Sequence, residues 1–113
     1  MKRVIALVTV LATAVPTAGA VPLLSSGIDI AGHQHPAGSA IDWHQVANSS
    51  QDFAFIKATE GVGFTNTHFP ADVKDARGAG LHVGAYHYAR PGADAKAQAA
   101  YFAETIKQAD ATL

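Results

Sequence analysis

The 113-residue chain has no cysteine, only 15% charged residues, and no apolar run as long as the roughly 20 residues that cross a bilayer as a helix. Without cysteine there is no disulfide-stapled miniprotein and no thiolate metal site. A net charge of −1 leaves no basic surplus to neutralise phosphates, which excludes a nucleic-acid binder. The hydrophobic share of 49% is too high for a disordered tail, and 10 glycines without a repeat exclude a collagen-like rod. What is left is a chain able to bury one modest core.

The first residues stand apart. Met1-Lys2-Arg3 is basic, Val4 to Val15 is apolar, Pro16 breaks that run, and Ala18-Gly19-Ala20 is a small-x-small site. This is the layout of a secretory signal. Residues 1–20 are therefore expected to be a signal peptide, with the exported chain starting at Val21. The alternative is an uncleaved N-terminal anchor. Cleavage would leave no stable membrane span and a secreted, extracellular product, and export without cysteine suits a bacterial protein held together by packing.

From Ser26 onward strand and helix patterns alternate. Ser26 to Ile30 is short and β-branched, and Ala31 to Ala40 reads as a Gly/Pro loop. Asp42 can cap a helix, with Gln45 in the reciprocal position, and Trp43, Val46 and Ala47 share its inner face. Phe53 to Thr59 is nearly continuous apolar sequence broken only by Lys57, the pattern of a strand buried on both faces. Glu60 to Asn66 reads as a loop. Phe69, Val73 and Ala76 form a helical stripe, with Gly78 and Gly80 as its stop. Leu81 to Tyr88 is the third strand. From Asp94 a last helix carries Ala95, Ala99, Phe102, Ile106, Ala109 and Leu113 as its stripe. Asp29, Lys57 and Ala85 mark equal intervals along these units, which suggests parallel strands joined by helical crossovers.

The fold class is thus α/β, with three β-α units present. A closed barrel takes roughly eight strands, so the chain reads as the N-terminal part of an irregular β/α, TIM-like barrel, ending before the fourth strand. In such sheets the residues at the C-terminal ends of the strands converge on one crevice. Asp29 sits in the first strand, Glu60 just past the second, and Tyr86-His87 at the end of the third. An acid flanked by Ile28 and Ile30 is costly to bury without a task. Lys57 in a buried strand is expected to pair with Asp29 or Glu60. Two carboxylates on one rim are the equipment of glycoside hydrolysis, one protonating the leaving oxygen and the other supporting developing positive charge.

Four segments then occur in order: Gly27-Ile28-Asp29-Ile30, Ile41-Asp42-Trp43, Phe55-Ile56-Lys57-Ala58-Thr59-Glu60-Gly61, and Gly84-Ala85-Tyr86-His87-Tyr88-Ala89-Arg90-Pro91. Together with the Ala-rich Asp94 to Phe102 stretch, they resemble the N-terminal half of glycoside hydrolase family 25, the lysozymes or N-acetylmuramidases. The resemblance implies a partial family domain over residues 21–113. It also implies a partner, peptidoglycan glycan strands, cut at the β-1,4 bond between N-acetylmuramic acid and N-acetylglucosamine, with no cofactor. Asp29 matches the family's first-strand active-site aspartate and is the expected catalytic residue. Lys57, Glu60, Tyr86 and Arg90 match positions in or beside the sugar-binding groove. The family's Asp-x-Glu general-acid motif has no counterpart in these residues, so the 113-residue chain is expected to be inactive alone.

Two rival readings come from other residues. His33 and His35 follow the first strand as a His-x-His pair, the kind of placement a metal-dependent barrel hydrolase uses. A non-catalytic glycan-binding segment would use aromatics. Of Trp43, Phe64, Tyr86 and Tyr88, only Tyr86 is assigned to the groove, Trp43 reads as core, and His87 is expected to hydrogen-bond on the groove wall.

Overall fold

The computed structural model describes residues 24–109, so the expected leader at 1–20, the new start at Val21 and the helical position at Leu113 lie outside it. In chain order it holds β1 (Gly27–Ile30), α1 (Trp43–Asn48), β2 (Phe53–Glu60), β3 (Phe64–Thr65), α2 (Phe69–Gly78), β4 (His82–Tyr88) and α3 (Ala95–Gln108). Between β1 and α1 the expected loop carries two short 3-10 turns, Gly32–Gln34 and Pro36–Gly38.

β2 is the central strand. β1 runs parallel to it, with Asp29 beside Phe55, and β4 lies parallel on its other edge, with Gly84 beside Phe55 and Tyr86 beside Lys57. Parallel strands adjacent in sequence and in space are what successive β-α units build. The segment read as a loop from Glu60 to Asn66 is a hairpin, and β3 returns antiparallel on the end of β2, pairing Thr65 with Thr59 and Phe64 with Glu60. The sheet therefore has four strands, although the fourth is not the parallel strand a barrel would add after α3.

The helices cover one face of the sheet. Ala54, Ile56 and Ala58 of β2 meet Trp43, Phe69, Val73, Ala76 and Leu81 in the buried core, joined by Ile30. Asp42 caps α1 as expected, its Oδ1 accepting from the Gln45 N–H at 3.0 Å. The stop of α2 is narrower than the sequence suggested. Gly80 alone takes the left-handed conformation, at φ +93°. Its N–H donates to Arg77 O (2.9 Å) while the Leu81 N–H reaches Ala76 O (3.1 Å), the two bonds of a Schellman motif. Gly78 is an ordinary helical residue.

The inner stripe of α3 also differs. Ala95 and Ala99 are exposed, and the packed side starts at Gln98, the one fully buried residue of that helix, continuing through Phe102, Ile106 and Ala109. The opposite face of the sheet is open. β2 is not buried on both faces, because Phe55 remains 49% exposed there. Each ring has a glycine beside it on one neighbouring strand, and a Cβ at Gly27 or Gly84 would stand 2.2 or 2.5 Å from the rings of Phe53 and Phe55, respectively. No described helix is long and apolar enough to cross a membrane.

Candidate active site

Parallel register puts Asp29, Phe55 and Gly84 on one face of the sheet, with Lys57 and Tyr86 following on the same side. Glu60 would not join them in a regular strand, since positions three apart point to opposite faces. A β-bulge brings it across. The register passes from Lys57–Tyr86 directly to Thr59–His87, leaving Ala58 unpaired against β4. Ala58 and Thr59 are both fully buried, and Glu60 emerges beside Lys57. Asn66, which falls in a stretch that reads as a loop from its sequence, holds the bulge. Its N–H donates to Ala58 O and its Nδ2 to Lys57 O, both at 2.8 Å.

The result is a charged cluster at the C-terminal ends of the strands. Glu60 accepts from Lys57 Nζ through Oε1 and from Arg90 Nη2 through Oε2. Lys57 thus chooses Glu60 of its two expected partners. Two aromatics frame the ammonium: Lys57 Nζ lies 5.1 Å from the Phe64 ring and 5.0 Å from the Tyr88 ring, and the Arg90 guanidinium carbon lies 5.3 Å from Tyr88. Ala31, Gly32, His33, Lys57, Glu60 and Phe64 line an open hollow of about 480 Å³. A second hollow between α1 and α2, lined by His44, Lys74 and Asp75 among others, contains none of the expected site residues.

Asp29 is on the open face but exposed, so the burial cost that singled it out does not operate among the described residues. Its charge is felt by Tyr86. Partial burial, and then the negative charge of Asp29, push the Tyr86 phenol above its ordinary value of 10.0. All five expected residues (Asp29, Lys57, Glu60, Tyr86 and Arg90) therefore belong to one face or its rim.

Four aromatic and histidine assignments change or sharpen. Phe64 and Tyr88 are half-exposed on the groove side, while Trp43 is core as expected. Tyr88 is legible in principle, because it and Tyr86 are two apart in one strand; Phe64 is not, because its place depends on a two-residue hairpin strand too short to carry an alternation pattern. His87 is not on the groove wall. Beyond the bulge it faces α3, with Nδ1 2.7 Å from Thr59 Oγ1 and Nε2 2.9 Å from Gln98 Oε1.

His35 is buried rather than held out in the loop. Its Nδ1 donates to Ser39 O at 2.7 Å, and its Nε2 is within hydrogen-bond distance of Asp72 Oδ2, at 2.7 Å. The same carboxylate accepts from the Trp43 indole at 3.2 Å, and His68 stacks on His35 with ring centroids 3.8 Å apart. Both ring nitrogens are engaged, so the His33/His35 metal reading loses its second ligand. Among the described residues no group of three or more His, Asp or Glu is arranged around a metal position.

Comparison with known proteins adds to this geometry. Residues 28–113 match Glycosyl hydrolases family 25. The chain is 46% identical over 78 residues to Lysozyme M1 of Streptomyces globisporus, a match that covers 68% of this chain and 25% of that protein. Among solved structures, it resembles the bacterial lysozyme from Streptomyces coelicolor with a TM-score of 0.64 at 40% identity, covering 74% of this chain and 37% of that one. A family 25 glycosyl hydrolase from Bacillus anthracis gives a TM-score of 0.65 at 33% identity over 72% of this chain and 36% of that one. The match thus spans between a quarter and two fifths of these relatives' lengths. With the motifs, the mixed α/β architecture and the matched residues in agreement, the chain belongs to glycosyl hydrolase family 25.

Proposed function

We propose that these residues are the N-terminal part of a secreted lysozyme's β/α barrel, which hydrolyses the β-1,4 bond between N-acetylmuramic acid and N-acetylglucosamine in peptidoglycan. The observation that carries this reading is the open sheet face. Asp29, Lys57 and Tyr86 share it, and the bulge adds Glu60 and its partner Arg90 at the strand ends where barrel enzymes bind substrate. In this scheme Asp29 orients the reacting sugar or supports its developing positive charge. The proton for the leaving oxygen comes from a glutamate on a further strand of the complete domain. Lys57, Glu60 and Arg90 offer donors and acceptors to sugar hydroxyls and amides, while Tyr86, Tyr88 and Phe64 offer ring faces for stacking. Residues 1–20 are proposed as the export signal, and the reaction calls for no cofactor.

The test joins this chain to the C-terminal remainder of Lysozyme M1. Reducing-end release from muramic-acid-containing walls is expected, undiminished in excess chelator. Asp29→Asn should lower it by about 100-fold or more. Loss on chelation with rescue by zinc would favour a metallohydrolase, and wall binding without cleavage would favour a glycan-binding segment.

A further inference from the structure

We propose that Gln98 of α3, acting from the side of the sheet opposite the groove, is the positioning residue that sets the Glu60–Arg90 pair; this rests on the groove reading given above. Gln98 is 6% exposed, and every polar atom of its side chain is engaged. Its Nε2 donates to Arg90 O at 3.0 Å and Ala93 O at 3.2 Å, which fixes the amide's orientation, since neither carbonyl can donate. Its Oε1 then accepts from the Arg90 N–H at 2.9 Å and from His87 Nε2 at 2.9 Å. His87 consequently carries its proton on Nε2, and its Nδ1 meets the Thr59 hydroxyl at 2.7 Å.

This chain of bonds ends at Arg90 on one side and, on the other, at Thr59, the chain neighbour of Glu60. At one end Gln98 clamps the N–H and the C=O of Arg90, so the backbone from which the guanidinium extends has one position. At the other end, through His87, it holds Thr59, the residue immediately before Glu60 and the point where the bulge turns Glu60 to the groove. Arg90 itself is largely exposed, with 58% of its side chain in solvent. An exposed arginine on a free loop would sample many rotamers, and its ion pair would contribute little. A clamped backbone removes much of that freedom and leaves the guanidinium over Tyr88.

The experiment compares Gln98→Ala and Gln98→Met in the joined protein, with Val73→Ala as a control that lowers stability from a core site away from the groove. Met keeps the volume of Gln98 and removes its hydrogen bonds. The first readout is the ring-current shift of the Arg90 side-chain protons over Tyr88, followed by NMR. Both Gln98 variants should lose at least about half of it, and Val73→Ala should keep it. The second readout is kinetic: KM for soluble muropeptide chains should rise about 10-fold in both variants with kcat nearly unchanged, as expected for lost uniform binding. Retention of the ring-current shift in Gln98→Met, or its absence in the unsubstituted protein, would overturn the proposal. A protein that shows the shift but cuts no peptidoglycan would instead overturn the lysozyme reading, and would leave the positioning role supported.

Discussion

At Tyr86, partial burial and the negative charge of Asp29 both favour the neutral phenol, so its folded pKa lies above the ordinary 10.0. The unfolded chain therefore loses this proton first as pH rises. The stability linked to Tyr86 is full below about pH 10 and is lost as the pH climbs through the folded pKa. Asp29→Asn removes the second of the two causes, so the phenol midpoint should fall and the alkaline loss should shrink. Absorbance titration in a Tyr88→Phe, Tyr101→Phe background reads Tyr86 alone, and an unchanged or higher midpoint would contradict the Asp29 contact. Asp29, Glu60 and Tyr86 fall at or near strand ends in the sequence itself, so their grouping was legible residue by residue, whereas Arg90 entered only through the family resemblance. The buried polar pairs were not legible. Asp72 looks like any helical acid, and nothing in the chain order says that His35, 37 positions away, meets it.

Among the elements, the bulge in β2 does most to shape the site, and it was invisible to hydrophobic patterning. Phe53 to Thr59 reads as one apolar strand, and the extra residue shows only in the partner register. The two-residue β3 was missed for a related reason: Phe64-Thr65 is too short to carry an alternation pattern, and its support comes from distant contacts such as Thr65 Oγ1 to Tyr101 Oη at 2.6 Å. The helices were easier, since caps and apolar stripes are local, yet even there the last turn of α2 offered two glycines for one role. The structure separates them. Gly80 sits at φ +93°, so Gly80→Ala should destabilise by about 1 kcal/mol or more. Gly78 has no atom within 4 Å of an added Cβ, so Gly78→Ala should be neutral or stabilise by up to about 1 kcal/mol. Urea unfolding of the two variants in the joined protein measures both, and equal losses would mean the helix ends elsewhere.

For the molecule as a whole, the question is what the open face of the sheet costs. One face is a finished core, with Ile56, Phe69 and Val73 at most 2% exposed beneath the helices. The other presents Phe53 and Phe55 edge to face at 5.3 Å, packed against Gly27 and Gly84, with Asp29 and His82 as their other strand neighbours and Phe55 half in solvent. Aromatics packed over glycines on a sheet face are half of an interior, and in a closed barrel further strands would supply the other half. β1 and β4 also each have one partnered edge among the described parallel strands, which leaves backbone groups open to pairing with another chain. Residues 24–109 on their own should therefore bind a dye for exposed apolar surface and melt over a broad range, with a tendency to self-associate. The same residues joined to the remainder of a family 25 domain should lose the dye signal and melt sharply. Phe55→Ser tests the cause: it should reduce dye binding in the isolated segment, where the ring faces water, and destabilise the joined protein by about 3 kcal/mol or more, where the ring would be interior. A sharp melt without dye binding from residues 24–109 alone would show that the open face needs no further strands.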